Sequence, residues 1–289
     1  MSNVIVLGSL HLDIVVKAPR MPILGETLMG SGWQQVAGGK GLNQAVSCAR
    51  AGLSTHMLGL VGNDGFADTM LAHLRHNKVD VTQVQRISHC GSGISVAIVQ
   101  ADGDYSAVVA SEANALIDAS HISAWSELLQ SASALVLQNE IPAAANLAAA
   151  KIVTQHGGLV VLNAAPARNA EPEFLQHVRV LVVNSVEAEM MGSQPVVDLA
   201  SAQQASSYLH QQFGPDVVVT AGKDGAAWTG AQAGAGMVKA LPVKVISAHG
   251  AGDMFVGQLV AELVRSTGLG HAVQTANQAA ARHVSTPRN

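Results

Sequence analysis

Short runs of apolar residues recur along the chain, and each is followed by a longer stretch in which the apolar residues have helical spacing. Strands that are apolar at every position are buried on both faces, which is typical of a parallel sheet between two layers of helices. The alternation therefore predicts a three-layer α/β fold with a central, mostly parallel sheet. The predicted strands are residues 4–7, 55–61, 134–137, 159–162, 180–183 and 217–220. The predicted helices lie around residues 42–49 and 71–74 and over residues 142–155, 198–212 and 253–265, with Pro142 just inside the third helix.

Two segments interrupt this alternation. Residues 13–36 and 91–110 have the pattern of β-ribbons, and the second ribbon alternates about a turn at Asp102 and Gly103. A pair of ribbons that stands off an α/β core is naturally placed as a lid over the edge of the sheet. Since neither an internal repeat nor a linker rich in Pro or Ser divides the chain, we expect one domain, residues 1–289, with a lid formed by residues 13–36 and 91–110.

Charge and composition exclude several classes of function. The 289 residues include 16 Lys and Arg against 20 Asp and Glu, a net charge of −4, which leaves no basic excess for binding nucleic acid. Although 48% of the residues are apolar, no apolar run reaches the length of about 18 residues that a membrane-spanning helix needs. The N-terminus lacks the basic segment of a signal peptide, and Cys48 and Cys90 form no CxxC motif. We expect a cytoplasmic protein that binds neither nucleic acid nor membranes.

The sequence Gly250-Ala251-Gly252-Asp253 comes directly before an apolar helical segment. Small residues at the start of a helix leave backbone N–H groups bare, and the helix dipole adds partial positive charge, so the segment is suited to bind an anion. A carboxylate beside an anion site is useful if it removes a proton from a hydroxyl that attacks a phosphoryl group. The alternative is that Asp253 only stabilises the start of the helix as a cap or first-turn acid.

A second glycine-rich segment, Gly38-Gly39-Lys40-Gly41, leads into Asn43 and the first predicted helix. It is not a P-loop, because position 34 is Gln and neither Ser nor Thr follows Lys40. Paired glycines before a helix let a polyhydroxy ligand approach the backbone closely. A simple turn is the alternative.

Polar residues also follow two of the predicted strands. Asn184 and Glu187 come after the strand at 180–183, where side chains point into the crevice in which parallel sheets bind ligands. These residues could hold a hydrated Mg²⁺, or they could form a capping box at a helix start. Asp13 ends the buried first strand, where its carboxylate could accept sugar hydroxyls or simply end the strand.

The order of these motifs resembles the ribokinase-type, or PfkB, family of sugar kinases. The resemblance is carried by Gly8-Ser9 with Asp13, by Gly-Gly-Lys-Gly-x-Asn-Gln at 38–44, by Asn-x-x-Glu at 184–187 and by Gly-Ala-Gly-Asp at 250–253. Residues 162–167 and 219–225 are also similar to segments of this family, so the resemblance spans almost the whole chain.

The resemblance implies a role for each matching residue. Asp253 would be the base that acts on the sugar hydroxyl, and Gly250, Ala251 and Gly252 would form the anion hole. The sugar pocket would be lined by His11, Asp13, Gly39, Lys40, Asn43 and Glu140 together with Asp253. Asn184 and Glu187 would organise Mg²⁺, through water, and the phosphates of ATP. The nucleotide would be bordered by Asn184, Thr220, Gly222, Gly225 and Asn277. The two ribbons would be the lid, which in this family often pairs between subunits of a dimer.

The sequence also departs from the family pattern. Ser247-Ala248-His249 stands where the family has Asp-Thr-x, and the missing Asp helps to hold an activating monovalent cation in ribokinase-like members. His11 and Asn277 replace an Asn in the sugar pocket and a His near the adenine. The family usually continues past the segment that resembles residues 279–285 into a closing loop, whereas this chain ends at Asn289. We therefore expect little or no dependence on K⁺.

Together these observations lead us to expect an ATP-dependent kinase that phosphorylates a hydroxyl of a ribose-like pentose or a related sugar, with Mg²⁺ as the metal. A dimer formed through the lid is expected as well. Two alternatives stay open, a non-catalytic member of the fold that binds sugar or nucleotide and a kinase for a nucleoside or another sugar.

Overall fold

The computed structural model describes residues 3–102, 104–168 and 171–286. The first seven strands in these ranges are β1 (Asn3–Leu7), β2 (His11–Lys17), β3 (Gly32–Gly38), β4 (Ser54–Leu58), β5 (Leu60–Gly62), β6 (Gln85–Ile87) and β7 (Gly93–Val99). The others are β8 (Tyr105–Ala110), β9 (Ala134–Gln138), β10 (Leu159–Asn163), β11 (Val180–Asn184), β12 (Asp216–Thr220), β13 (Gly225–Gly230) and β14 (Gly234–Lys239).

Helices connect most of these strands. The first five are α1 (Lys40–Arg50), α2 (Gly65–His76), α3 (Ala119–Ala124), α4 (Ser126–Gln130) and α5 (Ala143–Gln155). The second five are α6 (Pro172–Leu175), α7 (Ser185–Met190), α8 (Leu199–Phe213), α9 (Ala251–Val264) and α10 (Leu269–Val284). None of these helices is both long and apolar enough to cross a membrane.

The central sheet has eight strands in the order β14-β13-β12-β11-β10-β9-β1-β4. The six strands from β12 to β4 are parallel, whereas β13 and β14 join antiparallel at one edge. Both faces of the parallel strands are buried: in β1, Ile5 and Leu7 pack on one side and Val4 and Val6 on the other. The predicted three-layer architecture is therefore confirmed.

Helices cover the two faces of the sheet as separate layers. One layer consists of α1, α2, α9 and α10, and the opposite layer is formed by the helices from α3 to α8. Strand β1 pairs with β9 on one side and β4 on the other, so the strand order reverses there. Open α/β sheets bind ligands outside the carboxyl ends of their strands at such a reversal. The loops after β1, β9, β10 and β11 therefore lie at the edge of the sheet where this kind of fold binds ligands.

The two predicted ribbons form a second sheet, with four strands in the order β3-β2-β7-β8. The outer pairs are antiparallel and the central pair β2–β7 is parallel. The strands extend slightly beyond the expected bounds, since β2 begins at His11 and β3 ends at Gly38. Gly103, placed in the turn of the second ribbon, lies outside the described residues.

Several predicted elements differ from those observed. The run 55–61 is not one strand: β4 ends at Leu58 in the central sheet, and β5 pairs with β6 in a separate small sheet. Both pieces are buried, so the apolar run does not reveal the change of sheet. Asp13 does not end the first strand, because β1 ends at Leu7 and Asp13 lies inside β2. Pro142 precedes its helix as the N-cap residue instead of lying within it.

Candidate active site

Helix α9 begins at the glycine-rich segment, two residues earlier than expected. Gly250 is the N-cap residue in a left-handed conformation, with φ 70°, which favours glycine. Asp253 is consequently the third residue of the helix. The N–H of Ala251 donates to the carbonyl of Ala248 at 3.3 Å, so this group is not bare. The first turn faces open space at Gly252, where an added Cβ would meet no atom within 4 Å. The helix start is thus open at Gly252 and has the partial positive charge that suits an anion, with Asp253 beside it.

The Asp253 carboxylate is buried and held by amide groups. Gln44 donates from Nε2 to Oδ1 of Asp253 at 3.0 Å. Burial raises the pKa of Asp253, whereas the charge of Lys40 and side-chain hydrogen bonds from Gln44 and Asn43 act in the opposite direction. A carboxylate whose ionised form is disfavoured by burial has an increased affinity for a proton, as a general base requires.

A cleft of about 190 Å³ lies in front of this helix start. Its walls include Lys40, Thr220, Gly250 and Asp253. Asn184 and Glu187 also line the cleft, and they form a capping box at the start of α7, one of the two alternatives for this pair. Oδ1 of Asn184 accepts from the N–H of Glu187 at 2.8 Å, and Oε2 of Glu187 accepts from the N–H of Asn184 at 2.9 Å.

The pKa of Glu187 depends on other charged residues of the same cleft. Burial raises the pKa of its carboxyl, and the Asp253 charge raises it further, while the N–H of Asn184 and the charge of Lys40 lower it. Lys40 is therefore the cation that interacts with both carboxylates. The capping box and a metal-binding role are compatible, because the cap uses only one oxygen of the Glu187 carboxylate.

A second cavity, of about 440 Å³, opens between the central sheet and the second sheet. It is lined by His11, Val109, Glu140 and Ile141, among others. Oε2 of Glu140 accepts a hydrogen bond from the hydroxyl of Ser9 and another from the backbone N–H of Lys40 at 2.9 Å. The Glu140 carboxylate thus joins the loops after β1 and β9 to the start of α1, and it gives the cavity a polar end.

His11 and Asp13 lie on the face of β2 that is turned toward this cavity. His11 is buried, its Nδ1 lies 3.8 Å from Oε2 of Glu140, and its Nε2 has no hydrogen-bond partner within the described part of the chain. Burial lowers the pKa of His11, against the charges of Glu140 and Asp13. For Asp13, burial raises the pKa, and a hydrogen bond from Ser95 and the charge of His249 oppose this rise.

Comparison with known proteins identifies the family. The sequence profile of the pfkB family of carbohydrate kinases matches residues 1–288. The chain belongs to the pfkB family. Ribokinase from Bacillus subtilis is 31% identical over 284 residues, covering 98% of this chain and 93% of that protein. Deoxyribokinase from Salmonella typhi is 30% identical over 256 residues, with coverages of 88% and 83%.

Solved structures agree with this assignment. Ribokinase from Arabidopsis thaliana, solved with ribose and ATP, superposes with a TM-score of 0.90 at 26% identity and covers 99% of this chain and 93% of that one. Ribokinase from Cryptococcus neoformans, solved with ADP, has a TM-score of 0.86 at 27% identity, with coverages of 99% and 95%. The family and the ribokinase-like fold expected from the motifs are confirmed.

Most of the predicted site residues of this pfkB-family chain lie in or beside the two cavities, and the three exceptions are Gly222, Gly225 and Asn277. Gly39, with φ 91°, lies against the backbone of His11 and Ser9. Gly222 and Gly225 flank a turn after β12 and are not among the residues that line the cleft. Asn277 is buried on α10, where its Nδ2 donates to the carbonyl of Lys239 at 2.9 Å. It is not among the residues that line the cleft either.

Three polar residues of the site were missed as functional candidates. Ser9 binds Glu140, and Gln44 and Asn163 are linked to each other at 3.0 Å beside Asp253. The signal available was their presence in the quoted motifs, at residues 8–13, 38–44 and 162–167. Their contacts join residues that are more than 100 positions apart in sequence, so periodicity gives no indication of them.

Proposed function

We propose that this chain is an ATP-dependent kinase that transfers the γ-phosphoryl group to a hydroxyl of ribose or a closely related pentose. The observation that carries the proposal is the position of the Asp253 carboxylate. It lies at the start of α9, beside the cleft that contains Lys40, and is held by Gln44 of α1. The names of the relatives, ribokinase and deoxyribokinase, support a pentose as the acceptor.

In the proposed reaction Asp253 accepts the proton of the attacking hydroxyl. The hydroxyl oxygen forms a bond to the γ-phosphorus, the bond from that phosphorus to the bridging oxygen breaks, and ADP leaves with the electron pair. The N–H groups at the start of α9 and the charge of Lys40 stabilise the negative charge on the transferred group. Glu140 and Asp13 accept hydrogen bonds from other sugar hydroxyls and so orient the attacking one.

The residues of the cleft fit a magnesium ion. Asn184 and Glu187 supply the hard oxygen atoms that Mg²⁺ prefers, and one carboxylate oxygen of Glu187 remains outside the capping box. No cluster of three or more His, Cys, Asp or Glu that could hold a metal occurs among the described residues, in keeping with an ion held mainly by water and phosphate. Bound with ATP, Mg²⁺ would neutralise charge on the β- and γ-phosphate oxygens.

We also propose that the second sheet is a lid on a single domain. Its inner face, which carries His11, Asp13 and Val109, faces the larger cavity. Closure of this sheet over the sugar would exclude water, which competes with the sugar as acceptor.

The outer face of the same sheet supports a homodimer. Cross-strand pairing places Ile14, Val96 and Val108 together on that face, and Val16 and Trp33 beside them. Trp33 and Val108 are 66% and 75% exposed. An apolar sheet face of this kind is suited to bury itself against a second copy of the chain.

We propose that the protein is located in the cytoplasm. Both cysteines are free, as is usual for a protein in a reducing compartment. Burial raises the pKa of Cys48 to about 12, which makes this thiol unreactive.

A coupled assay of ADP release, run with a panel of pentoses, hexoses and nucleosides in the presence of Mg-ATP, tests the function. Ribose or deoxyribose is expected to give the highest kcat/KM, and the product is expected to be a sugar phosphate. Calorimetric binding of ribose without any ADP release would contradict the proposal and favour a non-catalytic sugar-binding member. Turnover with a nucleoside alone would replace the proposed substrate class.

A further inference from the structure

Gln44 occupies a central position in a chain of buried side-chain amides that ends at Asp253. The side chain is inaccessible to solvent on α1, and all of its polar atoms are used. Its Nε2 donates to Oδ1 of Asp253 and to Oδ1 of Asn163, both at 3.0 Å. Its Oε1 accepts from Nε2 of Gln138 at 2.8 Å. One amide therefore connects the carboxylate to β9 and β10.

The direction of these hydrogen bonds is set by the backbone. Nδ2 of Asn163 donates to the carbonyl of Val182 at 3.2 Å, and a carbonyl can only accept. Oδ1 of Asn163 must therefore face Gln44 as an acceptor, so Gln44 must donate from its NH₂ group. The same NH₂ group reaches Asp253, whose ionised carboxylate also can only accept. Gln138 donates to the other end of the amide and stabilises the same orientation.

The carboxylate keeps acceptor sites for the substrate. An ionised carboxylate has about four lone-pair sites, of which the amides of Gln44 and Asn43 use two. The charge of Glu140 and the burial of Asp253 both favour its protonated form, and the Gln44 amide is one of the groups that oppose them. Loss of the amide would leave a less ionised carboxylate that is free to rotate.

We propose that Gln44 is a positioning residue, whose amide, oriented by Asn163 and Gln138, holds the Asp253 carboxylate in the rotamer that receives the proton of the sugar hydroxyl. The inference rests on the proposed phosphoryl transfer with Asp253 as its base. Gln44 lines neither the cleft nor the larger cavity, whereas its partners Asp253 and Asn163 both line the cleft, so Gln44 acts on the reaction only through residues that it contacts.

The test compares Gln44→Met with Gln203→Met. Methionine keeps the length of the side chain and removes its donor. Gln203 lies on α8, where its Nε2 donates to Oγ1 of Thr229 at 2.9 Å and to the carbonyl of Trp228 at 3.2 Å, so the control also removes a partly buried amide. For Gln44→Met we expect kcat to fall by about 10–100-fold, while KM for the sugar changes little. The acidic limb of the kcat–pH profile should move to higher pH. Gln203→Met should change thermal stability alone.

A second variant and a second measurement test the same set of hydrogen bonds. Asn163→Ala leaves Gln44 in place but removes the group that orients it, so it should shift the same pH limb in the same direction by a smaller amount. In the unliganded protein, ¹³C NMR titration of the Asp253 carboxyl should give a higher pKa in Gln44→Met than in the wild type. An unmoved pH limb and an unmoved carboxyl titration in these variants would overturn the proposal. A wild-type protein without sugar kinase activity would instead contradict the proposed function and would leave the carboxyl titration to be judged separately.

Discussion

At the scale of single residues, Asp253 combines a buried position with a role that needs its ionised form. Asparagine at this position keeps an oxygen that can accept from Gln44 but cannot take up a proton. We expect Asp253→Asn to lower kcat by about 10²–10⁴-fold, with little change in sugar affinity. Steady-state kinetics and calorimetric titration with ribose check this outcome. A variant with unchanged kcat would remove Asp253 from the mechanism.

The same residue should make stability depend on pH. Because burial raises the pKa of Asp253 in the folded protein, the folded state holds a proton that the unfolded chain releases at lower pH. The free energy of unfolding should therefore decrease as pH rises from the ordinary pKa of an aspartate to the raised value. Glu187 and Asp13 contribute with the same sign, since burial raises their pKa values as well. Denaturant titrations across this range isolate the Asp253 contribution as the difference between wild type and Asp253→Asn, and a difference independent of pH would contradict it.

Ser247 determines the expected response to monovalent cations. The resemblance to ribokinase-type kinases implies a cation-holding carboxylate at this position, where the Oγ of Ser247 instead accepts from the N–H of His249 at 3.4 Å. A neutral hydroxyl offers a cation much less charge than a carboxylate does. Titration of K⁺ at fixed Mg-ATP should change kcat by less than about twofold. Ser247→Asp is the matched variant, in which K⁺ stimulation should appear, and strong stimulation of the wild type would contradict the prediction.

At the scale of elements, variants at the start of helix α7 distinguish the structural role of its capping box from a role in binding metal. Asn184→Ala removes the side-chain acceptor of the capping box and should cost about 1 kcal/mol of stability. Glu187→Gln keeps an oxygen that can accept from the N–H of Asn184 but removes the negative charge. It should leave thermal stability nearly unchanged and raise KM for Mg-ATP. Thermal unfolding and kinetics at varied Mg²⁺ measure both effects, and equal KM values for Glu187→Gln and the wild type would exclude a metal role.

The elements differ in how far the sequence predicts them. Five of the six predicted strands were located to within two residues, because a strand buried on both faces needs an unbroken apolar run. The antiparallel strands β13 and β14 were missed, since Gly and Ala dominate them and leave no alternation. Motif order predicted Asp253, Glu140 and Glu187, but the amide chain through Gln44 depends on contacts between β9, β10 and α1. Such long-range contacts follow from the fold and are not encoded in any local pattern.

At the scale of the whole molecule, the two faces of the second sheet carry different residues of β2, polar on one face and apolar on the other. The alternation of side chains along β2 places His11 and Asp13 toward the larger cavity and Ile14 and Val16 away from it. If only the inner face of the sheet is covered, the apolar residues of the outer face are exposed to water. The proposed lid and the proposed dimer would therefore be linked, because a second copy that covers the outer face would also hold the inner face over the sugar.

Val108 lies on the outer face of the second sheet and provides a test of the proposed interface. It is 75% exposed on the edge strand β8, and it pairs with Val96 in the middle of the outer face. Lysine there would place a charge inside the proposed interface, so Val108→Lys should convert a dimer into a monomer and raise KM for the sugar through a less ordered lid. Val197→Lys is the matched control, since Val197 is 77% exposed just before α8 and belongs to none of the strands. Sedimentation velocity at micromolar concentration distinguishes the two variants. A wild-type protein that sediments as a monomer would contradict the proposed dimer, and a Val108→Lys variant that remains dimeric would place the interface elsewhere.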